Sequence, residues 1–276
     1  MERHALHSEF KSSYGTVRYG IRGNGTSIVL VHGTPWSSFN WRHLIRELSR
    51  EYKVHYYDLL GYGQSEQAED ADVSLGIQNK VLSELFDHWN LENPILIGHD
   101  FGGTTVLRTL LLNRRTASHA ILIDPVAIGP WGSPFFAYVK QHESVFAGLP
   151  GYIHEAIVSA YVQNAQYLQM DKETLHGILR PWLGDSGQHA FYRQIAQADH
   201  LYTQEIESRY GEIEIPVLLI WGEQDEWIPI EKGFALGEKM DDVTFVTIPE
   251  AGHLVQEDAP DILVREINRF LKSQEI

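Results

Sequence analysis

Two hydrophobic periodicities alternate along the first part of the chain. Ser27–Val31 is a nearly continuous apolar run, which is typical of a strand that is buried on both faces. Short apolar runs at Lys53–Tyr57, Pro94–Ile97 and Ser118–Ile123 predict three further strands. Between them, apolar residues recur three or four positions apart, as in Leu75–Trp89, and this spacing predicts helices. Alternating strands and helices imply a parallel sheet with helices on both faces.

The remaining elements extend this pattern towards both ends of the chain. Loose alternation over Glu9–Arg22 predicts one or two antiparallel strands, and Ser38 is placed to cap a helix after the first buried strand. After residue 210 the pattern predicts, in order, a strand at Ile215–Trp221, a helix at Ile230–Lys239, a strand at Val243–Ile248, and a closing helix that Asp258 caps and that ends near Leu271.

The alternation is interrupted after Pro125. Residues 127–210 show helical patterns and no convincing strand. These patterns lie at Pro134–Phe146, Pro150–Ala165, Asp171–Leu183 and Asp185–Tyr210. We therefore predict one α/β core domain formed by residues 1–126 and 211–276, with residues 127–210 inserted as a helical domain.

A glycine-rich turn follows the third buried strand. Gly98, Gly102 and Gly103 flank it, at positions where other side chains would clash. The pattern is Gly-x-nucleophile-x-Gly, in which a strained turn raises one reactive side chain above the end of a sheet. Here the raised residue is Asp100, which predicts a carboxylate nucleophile. The alternative is a turn aspartate that serves local hydrogen bonding.

Composition restricts the chemistry and the partners. The 276 residues contain 22 Lys and Arg against 37 Asp and Glu, which gives a net charge of −15 and argues against nucleic acid or anionic lipid as a partner. With no cysteine, the chain has no disulfide, thiolate metal site or cysteine nucleophile. The 14 histidines show no metal-type clustering, so we expect neither a metal nor another cofactor.

The N-terminal sequence, from Met1 to Ala5, lacks the pattern of a signal peptide. No apolar run approaches the roughly 20 residues that span a bilayer. We therefore expect a soluble cytoplasmic protein that does not bind a membrane. The sequence does not indicate an oligomeric state.

Taken in order, these residues resemble the α/β-hydrolase family over nearly the whole chain. His32-Gly33-x-Pro follows a buried strand, where that family places part of its oxyanion hole. Asp100 occupies the elbow, and Asp225 and the Gly-His pair ending at His253 follow later strands. The resemblance implies the α/β-hydrolase fold, with a mostly parallel central sheet flanked by helices. It also implies that the helical insertion is the family's cap domain.

The resemblance implies a catalytic triad. Asp100 would be the nucleophile, Asp225 the acid and His253 the base, in the family's order. A loop histidine without a catalytic role is the alternative for His253. Glu223 and Asp124 remain alternatives to Asp225, because some dehalogenases take the acid from the end of the earlier strand.

An aspartate at the elbow favours reaction at saturated carbon. Attack on an ester would give an anhydride, which gains little, whereas attack on an electrophilic saturated carbon gives a stable ester and expels a leaving group. The chain therefore resembles epoxide hydrolases and haloalkane dehalogenases. Water activated by His253 would then cleave the ester. The backbone N–H groups of Thr34 and Phe101 would hold the oxyanion, each contributing about 3 kcal/mol.

The residue after the nucleophile favours the epoxide hydrolases. Haloalkane dehalogenases usually have a tryptophan there, and fluoroacetate dehalogenases an arginine, whereas Phe101 has no side-chain donor. We expect a neutral, apolar small-molecule substrate, most simply an epoxide. A haloalkane dehalogenase that takes halide donors from the cap or from Trp36 is the first alternative. A non-catalytic ligand-binding protein on the same scaffold is the second.

Epoxide hydrolases normally use two cap tyrosines as acids over the epoxide oxygen. Ala190-Phe-Tyr192-Arg193 resembles the Asn-Trp-Tyr-Arg segment that supplies one of them. Tyr138 is our candidate for the other. Three further cap tyrosines compete with it, namely Tyr152, Tyr161 and Tyr167. Trp36 and Trp131 are candidates to line the pocket or to donate to a halide. The alternative for these two tryptophans and for Tyr192 is a packed aromatic side chain without a role in the site.

Overall fold

A computed structural model describes residues 4–274. The first three residues of the segment that we inspected for a signal peptide lie outside this range. Among the described residues, no helix is both long and apolar enough to cross a membrane.

Eight strands form the central sheet. They are β1 (Ser8–Ser12), β2 (Gly15–Arg22), β3 (Ser27–Val31), β4 (Lys53–Tyr57), β5 (Ile95–His99), β6 (His119–Ile123), β7 (Val217–Gly222) and β8 (Val243–Ile248). Their order is β1-β2-β4-β3-β5-β6-β7-β8. β1 and β2 pair antiparallel with each other, and β2 pairs antiparallel with β4. The other strand pairs are all parallel, so β4, β3, β5, β6, β7 and β8 form a parallel set of six neighbouring strands. This confirms the mostly parallel sheet.

Eleven α-helices accompany the sheet within residues 4–274. They are α1 (Arg42–Leu48), α2 (Leu75–His88), α3 (Phe101–Leu111), α4 (Pro134–Ala147), α5 (Gly151–Gln163), α6 (Lys172–Leu179), α7 (Gly184–Ala196), α8 (Leu201–Glu207), α9 (Ile230–Gly237), α10 (Val255–Asp258) and α11 (Pro260–Ser273). Short 3₁₀ helices lie at Ser38–Trp41, Arg180–Trp182 and Tyr210–Glu212. The single helical pattern predicted over 185–210 is thus two α-helices.

Alternate residues of the buried strands face two separate apolar clusters. Ile28 and Leu30 of β3 pack on one side of the sheet with residues of α1 and α11. Val29 and Val31 pack on the other side with residues of α2, α3 and the inserted helices. Because both strand faces are buried, the strands read as continuous apolar runs.

The helices α4–α8 lie between β6 and β7 in the chain, and we call residues 127–210 the cap segment. Their buried side chains join the same apolar cluster as one face of the sheet, and Val139, Val158 and Ile206 are examples. Trp182 of the segment also donates its Nε1–H to the carbonyl of Pro35 at 2.8 Å. That the segment forms a domain of its own stays a prediction.

Two predicted helix caps are wrong. Ser37, not Ser38, caps the 3₁₀ helix, because its hydroxyl accepts from the N–H of Phe39. Asp258 does not cap α11, whose N-cap residue is Ala259. The Asp258 carboxylate instead accepts charge-assisted hydrogen bonds from backbone N–H groups of two other loops.

The parallel register brings the ends of neighbouring strands together. Val31 of β3 pairs with Gly98 of β5, so the segments that follow both strands emerge side by side. The contact between α3 and β3 is also close, because a Cβ atom on Gly102 would lie 2.0 Å from the carbonyl oxygen of Val31. The elbow glycines are therefore required by packing as well as by the turn.

We predict that Gly102→Ala lowers the free energy of unfolding by about 3 kcal/mol, because the added methyl group must displace the backbone of β3. Gly151→Ala is the matched control, since a Cβ there meets no atom within 4 Å. That change should leave stability within about 1 kcal/mol of the parent. Urea denaturation of both variants tests this, and equal midpoints would contradict the packing argument.

Candidate active site

Asp100 lies between β5 and α3 with a backbone φ of +54°, a strained conformation for a residue other than glycine. Its Oδ1 accepts a hydrogen bond of 2.7 Å from the backbone N–H of Thr34. Its Oδ2 has no hydrogen bond within residues 4–274. A Cβ on Gly33 would lie 2.2 Å from Oδ1, so only glycine permits this approach. One carboxylate oxygen is thus fixed and the other is left free.

His253 lies in the loop after β8 and is fully buried. Its Nδ1 is 2.9 Å from Oδ2 of Asp225, so Nδ1–H donates to that carboxylate. Its Nε2 is 3.3 Å from Oδ2 of Asp100. This second contact lacks hydrogen-bond alignment, and Nε2 has no hydrogen-bond partner among the described residues. Nε2 therefore forms an ion pair with Asp100 when the imidazole is protonated, but makes no aligned hydrogen bond to it.

Of the three candidate acids, the structure brings Asp225 to the histidine. The Oδ1 of Asp225 accepts from the N–H groups of Trp227 and Ile228 at 2.8 and 2.9 Å. Glu223 instead accepts from the hydroxyl of Thr247 at an exposed edge. Asp124 is buried with its Oδ1 bound to the N–H of Gly222. Burial and the charge of Asp225 raise the pKa of Asp124 well above its ordinary value.

The two carboxylates determine the protonation of His253. Burial by itself lowers the pKa of this imidazole, but the negative charges of Asp225 and Asp100 outweigh burial and hold the pKa well above the usual range. Below that raised pKa the histidine is an imidazolium between two carboxylates. Removing either negative charge makes the imidazole a weaker base that loses its proton at lower pH.

His99 is hydrogen-bonded to the loop that carries His253. Its Nε2–H donates to the carbonyl of His253 at 2.8 Å, and its Nδ1 accepts from the amide of Gln256. Burial and the charge of His253 hold the pKa of His99 well below its ordinary value, so it stays neutral. His99 therefore positions the loop that carries His253 through a hydrogen bond.

A cavity of about 370 Å³ opens above Asp100. Thr34 and Asp100 form its polar floor. Its walls carry five aromatic side chains, namely Phe101, Trp131, Phe136, Tyr161 and Trp227. The ring of Trp227 stacks on His253 with centroids 5.1 Å apart, and Tyr161 stacks on Trp227 at 4.5 Å. Aromatic side chains therefore enclose the free carboxylate oxygen.

Three of the four predicted substrate contacts do not reach this cavity. Tyr192 is fully buried inside the cap segment, where its hydroxyl bonds to Nδ1 of His154. Tyr138 is 60% exposed on the outer surface of α4. Trp36 is buried and stacks on Trp227 instead of lining the cavity. Trp131 does line it, but its Nε1–H donates to Thr203.

Tyr161 is the cap tyrosine that lines the cavity, and it was one of our alternatives to Tyr138. Tyr152 and Tyr167 are 74% and 50% exposed. Burial raises the pKa of Tyr161 well above its usual value, and the charge of Asp100 raises it further. The hydroxyl is therefore protonated and close enough to Asp100 to respond to its charge.

The two predicted oxyanion donors are backbone N–H groups on either side of Asp100 in space. The N–H of Thr34, in the loop after β3, binds Oδ1 of Asp100. Phe101 directly follows Asp100 and begins α3, and its N–H makes no hydrogen bond within the described part of the chain. Their role in holding an oxyanion stays a prediction.

The sequence did not indicate Gln194, which connects the cap segment to the site. Its Oε1 accepts from the hydroxyls of Thr34 and Tyr62, and its amide donates to the carbonyl of Phe191. All three polar groups are buried, so losing one would leave the others unpaired. The helical spacing of α7 places Gln194 on its buried face, which was the available signal.

Residues 28–266 match the family model described as Alpha/beta hydrolase family. The chain belongs to this family. An alpha/beta hydrolase fold protein from Burkholderia ambifaria has a similar solved structure, with a TM-score of 0.93 and 45% identity over 96% of this chain and 98% of that one. The Asp100 elbow, the acid and the histidine all fall within the matched residues.

Curated relatives of this hydrolase include both haloalkane dehalogenases and epoxide hydrolases. Haloalkane dehalogenase 2 of Mycobacterium tuberculosis is 26% identical over 95% of this chain and 93% of its own. Epoxide hydrolase 4 of Mus musculus is also 26% identical, over 94% of this chain and 76% of its own. Because this chain is equally identical to both relatives, the comparisons do not distinguish a halide from an epoxide oxygen as the leaving group. That choice depends on the geometry of the site.

We predict that Asp100→Asn lowers the pKa of His253, because it removes one of the two carboxylate charges that raise it. NMR titration of the imidazole nitrogens would measure the change. Glu69→Gln, which removes a charge from an exposed loop, is the control and should leave the titration unchanged. An unchanged pKa in Asp100→Asn would show that Asp225 alone sets the basicity of His253.

Proposed function

We propose that this hydrolase opens an epoxide through a covalent ester on Asp100. The single observation that carries the proposal is the free Oδ2 of Asp100, which faces Nε2 of His253 at 3.3 Å beneath an aromatic cavity. A carboxylate held in this way is suited to attack a saturated carbon. His253 contacts both Asp100 and Asp225, so the three side chains of the proposed triad lie together. This arrangement argues against a ligand-binding protein without catalysis.

In the first half of the reaction, Oδ2 of Asp100 attacks an epoxide carbon and the carbon–oxygen bond of the ring breaks. The alkoxide that forms takes a proton from Tyr161, and the product is a hydroxyalkyl ester. Oδ1 becomes the ester carbonyl oxygen, already bound to the N–H of Thr34. Tyr161 regains its proton from solvent.

Ester formation then prepares His253 to act as a base. The ester is neutral, so the charge of Asp100 no longer raises the pKa of the imidazole. His253 loses its proton more readily and takes one from a water molecule that attacks the ester carbonyl carbon. The N–H groups of Thr34 and Phe101 hold the oxyanion on Oδ1. As this intermediate collapses, the protonated His253 gives its proton to the departing alkoxide oxygen, which completes the diol. The carboxylic acid left at Asp100 loses its proton to solvent, and the carboxylate is restored.

Donors in the cavity favour an epoxide over a halide. The indole N–H groups of Trp131 and Trp227 are bound to Thr203 and Asn164. Phe101 offers only an apolar ring. The indole N–H of Trp36 has no hydrogen-bond partner among the described residues, but Trp36 does not line the cavity. The tryptophans that do line it therefore offer a halide ion no free indole donor, whereas an epoxide oxygen has the hydroxyl of Tyr161 as its acid.

Mass spectrometry of His253→Gln with substrate should reveal an ester on Asp100, because the first half-reaction does not need the base. An epoxide adds its whole mass, since the oxygen stays on the alkyl chain. An alkyl bromide adds its mass less that of hydrogen bromide. The double variant Asp100→Asn/His253→Gln should give no adduct. No adduct on Asp100 with epoxides or bromides would overturn the mechanism.

Tyr161→Phe should lower kcat/KM for epoxide opening by about 100-fold, because the alkoxide loses its general acid. Tyr138→Phe is the matched control, since Tyr138 lies on the outer surface and should leave the rate unchanged. Initial rates of diol formation measure both. Full activity in Tyr161→Phe, or release of bromide without formation of diol, would favour the dehalogenase.

A further inference from the structure

The walls of the cavity carry negative charge and no positive charge. Asp100 lies at its floor, and Glu226 lines it from an exposed position, which places Glu226 at the opening. None of the described residues that line the cavity is a lysine, an arginine or a histidine. An anionic substrate would meet the carboxylates of Asp100 and Glu226, and the nearby imidazolium of His253 already lies between two carboxylates, so charge disfavours an anion.

Glu226 lacks an internal partner. It takes part in no hydrogen bond or ion pair within residues 4–274, although it lies between Asp225 of the relay and Trp227 of the wall. Glu223, on the same turn, is held by the hydroxyl of Thr247 and does not line the cavity. Glu226 is therefore a carboxylate available to a ligand at the cavity opening.

Aromatic rings line the same cavity as this carboxylate and Asp100. Trp131, Phe136, Tyr161 and Trp227 line the cavity, and Phe136 lies 6.4 Å from Tyr161 between ring centroids. The faces of such rings carry negative electrostatic potential and attract an organic cation. A cavity of about 370 Å³ is at the small end of ligand pockets, which keeps a bound group near several rings.

We propose that the natural substrate carries a cationic ammonium group, which the aromatic walls and Glu226 bind while Asp100 attacks the electrophilic carbon. This inference rests on the proposed function and specifies its substrate class. The negative net charge of −15 adds an attraction that draws cations towards the protein. The electrophilic end stays neutral, so the reaction at Asp100 is unchanged.

Two epoxides of matched shape test the proposal. Glycidyltrimethylammonium and neopentyloxirane differ in one atom, a cationic nitrogen in place of a quaternary carbon. We expect kcat/KM to be about tenfold higher for the cation, which is the scale of a cation–π contact shielded from water. The anion 3,4-epoxybutanoate should be the poorest of the three substrates.

Glu226→Gln should lower the ratio of kcat/KM between the cation and neopentyloxirane by about threefold to tenfold, and Glu223→Gln should leave this ratio at the parent value. Phe136→Leu, which keeps an apolar wall but removes a ring, should also lower the ratio. Added salt should reduce the part of the preference that Glu226 supplies. A parent ratio at or below one, or a ratio unaffected by Glu226→Gln, would overturn the inference.

Binding separates this inference from the proposed function. Tetramethylammonium should quench the tryptophan fluorescence of the parent protein and bind several-fold more weakly to Glu226→Gln than to Glu223→Gln. Turnover of neopentyloxirane without cation preference sinks the inference alone. Cation binding without turnover of any epoxide sinks the proposed function alone.

Discussion

One imidazole between two buried carboxylates is the constraint on which the site depends. His253 must be close enough to Asp225 to be oriented and close enough to Asp100 to serve it, yet Nε2 must stay free for water. Burial strengthens each of these charges by excluding solvent. Such a cluster persists only where the surrounding backbone fixes all three groups, and here the loops at the strand ends do so.

The parallel sheet holds these three side chains in place. β3, β5, β7 and β8 each end at the same edge of the sheet, so the loops that follow them deliver Thr34, Asp100, Asp225 and His253 to one place. The cap segment closes the site from above through apolar packing and through Gln194. Core and cap therefore share the floor and walls of one cavity, and neither forms it alone.

The sequence predicted the sheet and the elbow, because each depends on local periodicity or on glycines at fixed spacing, and the resemblance to the family implied the order of the acid and the histidine. The sequence did not predict the cap contacts. Tyr192 and Tyr161 are both cap tyrosines on helices, and only the packing of α5 and α7 decides which one faces the cavity. Trp36 packs on Trp227, a contact between distant parts of the chain that local sequence does not show. Ser37 was missed as a cap and Asp258 was wrongly assigned as one, because local sequence neither separates adjacent serines nor shows the backbone donors that compete for a carboxylate.

The carboxylate of Asp258 has a consequence for how the protein works as an enzyme. It binds the N–H of Gly252, beside His253, and the N–H groups of Tyr167 and Leu168 in the cap segment. The loop that carries the histidine is thus tied to the connection between α5 and α6. A movement of the cap at this end would therefore also pull on the loop that carries His253. In the proposed mechanism, this carboxylate would couple access to the cavity to the position of the base.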